Sequence, residues 1–267
     1  MIQEGFTFYR PHEALKEYVR FYWVFRSSLA ISALTFPTGC PQIIFHRRKP
    51  LYIPELDTFQ SRLTISGQVN FPSHLNATGE TEMIVVVFKP YGLSSLLNIP
   101  ASLFYNQEVS GCDIGGIGLR ELDERISGCE DSTDCIKLID NWLLSRLPKQ
   151  AYDQTQRIQA VVQRMLTAPE ASVTDLADIA CLGKKQFERS FRSLVGVNPK
   201  EYSRIIRFQK ALAMMQSGES ALSQVAYSSG YADQSHFIRE FKRFSGQTPA
   251  MLLKTASIHS DLFSNPV

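Results

Sequence analysis

The chain has 267 residues, of which 44% are hydrophobic and 20% are charged; this composition is ordinary for a folded protein and excludes a wholly disordered chain. The formal net charge is +2, but its distribution is uneven, because residues 1–152 carry 14 basic against 16 acidic side chains and residues 153–267 carry 14 against 10. The more basic C-terminal half is the half expected to contact phosphate groups.

The cysteines and the N-terminus indicate the compartment. The five cysteines are odd in number and include no C-x-x-C pair, which favours free thiols over disulfides or a zinc site. Residues 1–4 carry no basic or apolar leader, and no apolar run approaches the ~18 residues of a membrane span. We expect a cytoplasmic protein with no cofactor, no metal and no membrane partner.

The first 110 residues are predicted to be mainly strands, because aromatic and β-branched runs alternate with turn-like segments. The predicted strands are residues 21–25, 42–45, 63–66 and 83–88, and the turn-like segments are 37–41, 49–50 and 76–79. Residues 11–19 are predicted to form a short helix. His46 and the basic residues 47–49 are interpreted as a hairpin tip with a charged edge. Strands at this spacing predict a small barrel or sandwich.

Helical patterns replace the strands after Pro90. Three short or medium helices are predicted around residues 93–97, 119–126 and 132–147, and the polar segment 148–154 is predicted to be a linker. Beyond it only helices are expected, at 155–167, 173–180, 184–195, 199–216, 220–228, 234–245 and 249–256. The sequence therefore predicts an α+β protein, with a β-rich, barrel-like domain at 1–150 that has accessory helices and an all-α domain of seven helices at 151–258.

An internal repeat is the strongest pattern in the chain. Two phenylalanines, a glycine and a proline recur with an offset of 50 residues: Phe187, Phe191, Gly196 and Pro199, then Phe237, Phe241, Gly246 and Pro249. Upstream, Leu176-Ala177 recurs as Val225-Ala226 with an offset of 49, so the second copy has one extra residue between its first two helices. A small alanine on one helix, buried phenylalanines on the next, and a glycine stop predict two helix-turn-helix units.

The face opposite the phenylalanines is polar in both copies. At 100° per residue, Lys185, Arg189 and Arg192 lie opposite the first core, and Ser235, Arg239 and Lys242 take the same angles in the second copy. Such side chains suit base edges in the major groove of DNA. The 18-residue helix 199–216 would separate the two units by ~27 Å, close to one DNA turn of ~34 Å. Its residues Arg204 and Arg207 are left open for structural or phosphate contacts.

Residues 173–253 resemble the DNA-binding domain of the AraC/XylS family of bacterial transcriptional regulators, through residues 196–207 and above all through residues 225–249. The resemblance implies base contacts from both second helices, by Lys185, Glu188, Arg189, Gln234, Ser235 and Arg239. Phosphate contacts are expected from Lys184, Arg192, His236, Lys242 and Arg243. Where the family usually has serine before the first recognition helix, this chain has Gly183, a poorer cap than Asp233 in the second copy.

Residues 18–23, 37–45 and 88–93 resemble a β-rich domain that precedes this DNA-binding domain in one group of the family, which implies effector binding, dimerisation or both. The expected protein is a sequence-specific regulator, not an enzyme, that binds double-stranded DNA and is controlled by a small molecule. A constitutive regulator with a dimerisation-only domain is the main alternative. A DNA-repair fusion fits less well, because the N-terminal cysteines form no close pair. A homodimer and RNA polymerase remain open as partners.

Overall fold

The computed structural model describes residues 5–114, 118–148, 153–217 and 221–255. Ten strands are present in this part of the chain: β1 Gly5–Tyr9, β2 Val19–Ser27, β3 Ile31–Thr35, β4 Gln42–His46, β5 Tyr52–Ile53, β6 Thr58–Phe59, β7 Leu63–Ser66, β8 Ser73–Ala77, β9 Thr81–Phe88 and β10 Glu108–Ser110. Ten α-helices accompany them: α1 Gly92–Leu97, α2 Leu119–Ser127, α3 Ser132–Leu144, α4 Asp153–Thr167, α5 Val173–Ile179, α6 Lys184–Val195, α7 Pro199–Gln216, α8 Leu222–Ser228, α9 Gln234–Ser245 and α10 Pro249–Thr255.

The strands form two antiparallel sheets, one with the order β1-β2-β9-β4-β7-β10 and one with the order β3-β8-β5-β6. Alternate residues of β2 enter different cores, since Trp23 packs between the sheets and Tyr22 packs with the helices α1–α3. Both faces of the inner strands are therefore buried. This double burial explains why Met83-Ile84-Val85-Val86-Val87-Phe88 is apolar throughout rather than alternating.

The four predicted strands fall within β2, β4, β7 and β9, which are the four inner strands of the six-stranded sheet. The α+β class, the β-rich N-terminal part with helices and the seven C-terminal helices α4–α10 are confirmed for the described residues. Residues 149–152, which hold the predicted domain boundary and most of the predicted linker 148–154, lie outside them.

Three N-terminal predictions were wrong. The helix predicted for residues 11–19 is one 3-10 turn at Glu13–Leu15, because β2 begins at Val19 and pairs with β9. Residues 76–77 of a predicted turn belong to β8. His46 is not at an exposed hairpin tip: it ends β4, a strand paired on both sides, and its side chain is 2% exposed.

The helical half holds two apolar clusters, one around α4–α6 and one around α7–α9. No helix in the described ranges combines the length and the apolar character that crossing a bilayer requires. In the same ranges, no group of three or more His, Cys, Asp or Glu side chains is placed to hold a metal ion.

Candidate nucleic-acid interface

The first helix-turn-helix unit consists of α5 and α6. Ala177 on α5 is 2% exposed, and its small side chain lets α6 pack closely, with Phe187 and Phe191 completely buried. The ring of Phe191 also meets the ring of Tyr202 on α7 edge-on, with centroids 5.7 Å apart. Three helices therefore share one core, and the opposite face of α6 is left to solvent.

The second unit repeats this arrangement with α8 and α9. Ala226 is the small residue on α8, and Phe237 and Phe241 on α9 are completely buried. The ring centroid of Phe241 lies 5.1 Å from that of Phe208, which also belongs to α7. One 18-residue helix, about 27 Å long, thus joins the cores of both units and sets their separation.

The two turns differ by the one residue that the repeat predicts, since residues 180–183 separate α5 from α6 and residues 229–233 separate α8 from α9. Both α6 and α9 end as predicted, at a glycine in the left-handed region: Gly196 has φ 98° and Gly246 has φ 75°.

The predicted contact residues of α6 lie on its solvent side. Lys184, Lys185, Arg189 and Arg192 are exposed, whereas Glu188 is half-buried. Ser102, from the 3-10 turn Ala101–Phe104 of the β-rich half, lines the same surface depression as Glu188, Arg189 and Arg192. The first recognition face is therefore bordered on one side by the N-terminal half.

The predicted contact residues of α9 are also on one exposed face, with one exception. Gln234, Ser235, Arg239, Lys242 and Arg243 are all exposed. His236 is half-buried, its ring meets that of Tyr231 edge-on at 5.5 Å, and its Nε2 atom lies 3.6 Å from a carboxylate oxygen of Glu240.

The N-termini of the two recognition helices differ as expected. The Asp233 carboxylate accepts a hydrogen bond from the His236 backbone N–H at 2.7 Å, which caps α9. Gly183 occupies the same position before α6 with an extended backbone, at φ −62° and ψ 145°, and provides no side-chain acceptor. A side chain would meet no atom there, because a Cβ built on Gly183 has no neighbour within 4 Å.

Arg204 and Arg207, left open by the sequence, are engaged inside the domain. Both guanidinium groups bind the carboxylate of Glu240, which is 8% exposed; the Arg207 Nη2 atom lies 3.2 Å from Oε2. The ion pairs tie α7 to α9 beside the Phe208–Phe241 contact. Helical spacing could have predicted that Glu240 is buried, since it lies three residues after Phe237 and thus near the core side of α9.

The comparisons with known proteins agree with this geometry. Residues 176–255 match a family described as a helix-turn-helix domain, and residues 7–110 match one described as a domain of unknown function, DUF6597. A putative AraC-like transcription regulator of Streptomyces lividans is 33% identical over 78 residues, which are 29% of this chain and 26% of that protein. Residues 176–255 therefore form an AraC-type helix-turn-helix domain.

Two further comparisons give the extent of the likeness. An uncharacterized HTH-type transcriptional regulator of Haemophilus influenzae is 23% identical over 107 residues, which are 39% of this chain and 36% of that protein. The chain thus matches about a third of the length of that relative. The crystal structure of ToxT from Vibrio cholerae O395 covers 95% of this chain and 99% of its own, at 14% identity and a TM-score of 0.46.

The spacer helix α7 of the AraC-type domain also contacts the β-rich half, which the sequence did not predict. The Phe36 ring meets the Phe208 ring edge-on, with centroids 5.9 Å apart. The Gln209 side chain donates a hydrogen bond to the Pro37 carbonyl at 2.6 Å. Gly39 packs so closely on α7 that a Cβ there would lie 3.3 Å from the Tyr202 ring.

A second, polar contact fixes the first turn of α7. The Glu201 carboxylate accepts hydrogen bonds from the Asn70 amide and from the Tyr105 hydroxyl, each at 2.7 Å. The Glu201 backbone N–H in turn donates to Asn198, the cap of α7, at 2.9 Å. Two loops of the β-rich half, residues 36–41 and 67–70, therefore hold the helix that separates the two recognition units; we call them the docking loops.

Behind the docking loops lies a cavity of about 80 Å³ between the two sheets. Apolar and polar side chains line it in similar numbers, and the polar ones include Thr38, Gln42, Gln60, Gln68 and Glu108. The Gln68 amide donates to the Gly39 carbonyl at 2.8 Å, which links the cavity wall to a docking loop. Of two neighbouring residues of β2, Trp23 lines the cavity and Tyr22 is in the core on the other face of the sheet.

A hydrogen-bonded chain runs from His46 into this cavity. The His46 Nε2 atom lies 2.9 Å from the Gln60 carbonyl oxygen, and the Gln60 amide nitrogen donates to Glu108 at 3.2 Å. Ser66 donates to the other carboxylate oxygen at 2.9 Å. Burial lowers the pKa of His46 to about 4 and raises the pKa of Glu108 to about 7. His46 is therefore neutral near neutral pH, and it supplies no charge to Glu108.

Proposed function

We propose that the protein binds double-stranded DNA at specific sequences through α6 and α9 and regulates transcription, and that a small molecule in the β-rich half controls it. One observation carries the DNA-binding proposal. Two recognition helices with the same buried core and the same exposed polar face are attached to one rigid spacer helix. The likeness to proteins named transcriptional regulators supports the proposed role in transcription.

Base recognition is proposed for the side chains near the N-terminal ends of both helices. In the first unit these are Lys185, Glu188 and Arg189, and in the second they are Gln234, Ser235 and Arg239. An arginine can bind guanine O6 and N7 with two hydrogen bonds, and a glutamine can do the same with adenine. Phosphate contacts are proposed for the exposed cations Lys184, Arg192, Lys242 and Arg243, which flank these positions.

Control by a small molecule is proposed because the cavity shares its walls with the docking loops. Phe36 and Thr38 line the cavity and belong to the first docking loop, which contacts α7. Gln68 lines the cavity from the second docking loop. A ligand that moves these side chains would bias the position of α7 and with it the spacing of the two units. Homodimer formation and contact with RNA polymerase stay predictions.

The test begins with selection of bound sequences from a random DNA pool. Arg239→Ala is then compared with the unaltered protein on the selected operator, where we expect a loss of about 1–3 kcal/mol and a relaxed preference at one base position. Arg120→Ala, at an exposed position on α2, is the matched control and should bind normally. An equal loss on operator and on random DNA would refute base recognition by Arg239.

A further inference from the structure

The cavity between the sheets contains an ionisable group whose counter-ion is absent from its walls. Glu108 extends from β10 into the cavity, and both of its carboxylate oxygens accept hydrogen bonds from neutral donors, Ser66 and Gln60. Among the described residues that line the cavity there is no lysine, arginine or histidine. A carboxylate largely withdrawn from water is costly unless a positive charge or a proton accompanies it.

The neighbours of Glu108 hold its carboxylate in place. The Gln60 amide is oriented by His46, which occupies its carbonyl oxygen, so that its NH₂ group points to Glu108. Gln60 is 4% exposed and Ser66 pairs with Glu108 across β7 and β10. The carboxylate is thus preorganised as an acceptor, which favours a ligand-binding role over an incidental buried charge.

The remaining walls complete the chemistry of the site. The Trp23 ring lines the cavity together with Phe36, Ile44 and Val85. An aromatic face attracts organic cations, and the aliphatic side chains favour a ligand with some carbon. The volume of about 80 Å³ is roughly half of the ~150 Å³ that admits benzene, so about three to five non-hydrogen atoms fit.

Resting on the effector control proposed above, we infer that this cavity binds a small organic cation, an ammonium or guanidinium group with at most a few carbons, and that Glu108 is its counter-ion. The cation would sit beside Phe36, Thr38 and Gln68, which belong to the docking loops. Its occupancy therefore reaches the spacer helix through the Phe36–Phe208 contact and the Gln209–Pro37 hydrogen bond. With so few atoms, its dissociation constant is expected to be no tighter than about 10–100 µM.

The protein carries its own reporter for binding. The chain has two tryptophans, Trp23 in the cavity wall and Trp142 on α3, where the Arg146 guanidinium lies 3.8 Å from its ring centroid. In a Trp142→Phe background, Trp23 is the one remaining indole. Its emission is measured while propylammonium chloride or guanidinium chloride is added. Propan-1-ol, sodium propionate and potassium chloride serve as controls, and the two salts are added at the same ionic strength as the cations.

We expect a saturable change with at least one of the two organic cations and none with the alcohol or the carboxylate. Glu108→Gln should weaken binding at least tenfold, and Glu124→Gln, at an exposed position on α2, should leave it unchanged. A melting curve of Glu108→Gln checks that the variant is folded. Equal binding of the alcohol, unchanged binding by Glu108→Gln, or no saturation with either cation at 50 mM would overturn the inference.

DNA affinity is measured on the same samples, by fluorescence anisotropy of the selected operator with and without the cation. A change of severalfold that disappears in Glu108→Gln supports the route through α7. Specific DNA binding without any effect of the cation on Trp23 would refute the cation and leave the DNA-binding proposal intact. If the protein binds the cation through Glu108 but binds no specific DNA, the DNA-binding proposal is refuted and the cation site stands.

Discussion

Replacing Glu108 with glutamine should stabilise the protein at pH 8 and have little effect at pH 4. Burial raises the pKa of Glu108 in the folded state to about 7, against an ordinary value of 4.5. Below the ordinary value both states hold the proton, and no difference arises. As the pH rises towards 7, the unfolded state releases the proton first, so the folded state loses stability. Glutamine removes this loss.

The difference of about 2.5 pKa units corresponds to about 3 kcal/mol, at 1.36 kcal/mol per unit. Glutamine keeps both hydrogen bonds, because its carbonyl oxygen can accept from Gln60 and its NH₂ group can donate to Ser66. For a chain of this size the gain would raise the melting temperature at pH 8 by ~6–12 °C.

Melting curves of Glu108→Gln and of the unaltered protein are compared from pH 4.5 to pH 8, so that groups common to both cancel. The other titratable side chains near Glu108 are His46, reached through Gln60, and Cys40, which also lines the cavity. His46 is mostly neutral over this range because burial lowers its pKa to about 4, and burial raises the pKa of the Cys40 thiol. A stability difference that does not grow with pH, or a less stable variant at pH 8, would refute the reasoning.

Three further predictions concern the AraC-type domain. Gly183→Ser should add the missing cap of α6 and restrict the unfolded chain, for a gain of ~1 kcal/mol in thermal melts; Gly183→Ala supplies no acceptor, and an equal gain from alanine would contradict the capping account. Glu240→Ala should lose about 3 kcal/mol in urea unfolding, because it leaves two half-buried arginines without their carboxylate, and a loss below about 1 kcal/mol would show that the ion pairs are not stabilising. Arg192→Ala should weaken binding to all DNA sequences alike and reduce the slope of log affinity against log salt by about one unit; an unchanged slope would rule out its phosphate contact.

The helical half could be predicted in detail because its information is local. Phe187 and Phe191 face the core through helical spacing alone, and the recurrence of the pattern at Phe237 and Phe241 removes the ambiguity of a single helix. The exposure of Arg189 and Arg239 follows from the same geometry. Which of them contacts a base is a property of the complex, so those assignments stay proposals.

The β-rich half was only partly predictable. The four inner strands were recognisable because burial on both faces makes them apolar throughout, whereas β8, with the sequence Ser-His-Leu-Asn-Ala, shows no such run. The contacts that hold α7 were out of reach for another reason. Pro37 and Gln209 are 172 residues apart in the chain, and neither residue type signals a partner at that distance. Glu108 likewise had no pattern around it before the cavity was visible.

The central claim is that two recognition units on one rigid spacer helix contact DNA together, and the spacing of the half-sites tests it most directly. Anisotropy titrations compare the selected operator with a duplex in which five base pairs are inserted between the half-sites, which turns one of them to the opposite side of the helix. Because α7 is a single helix of 18 residues with a core at each end, the protein cannot follow this change, and affinity for the altered duplex should fall at least tenfold. Equal affinity for the two duplexes would contradict the account.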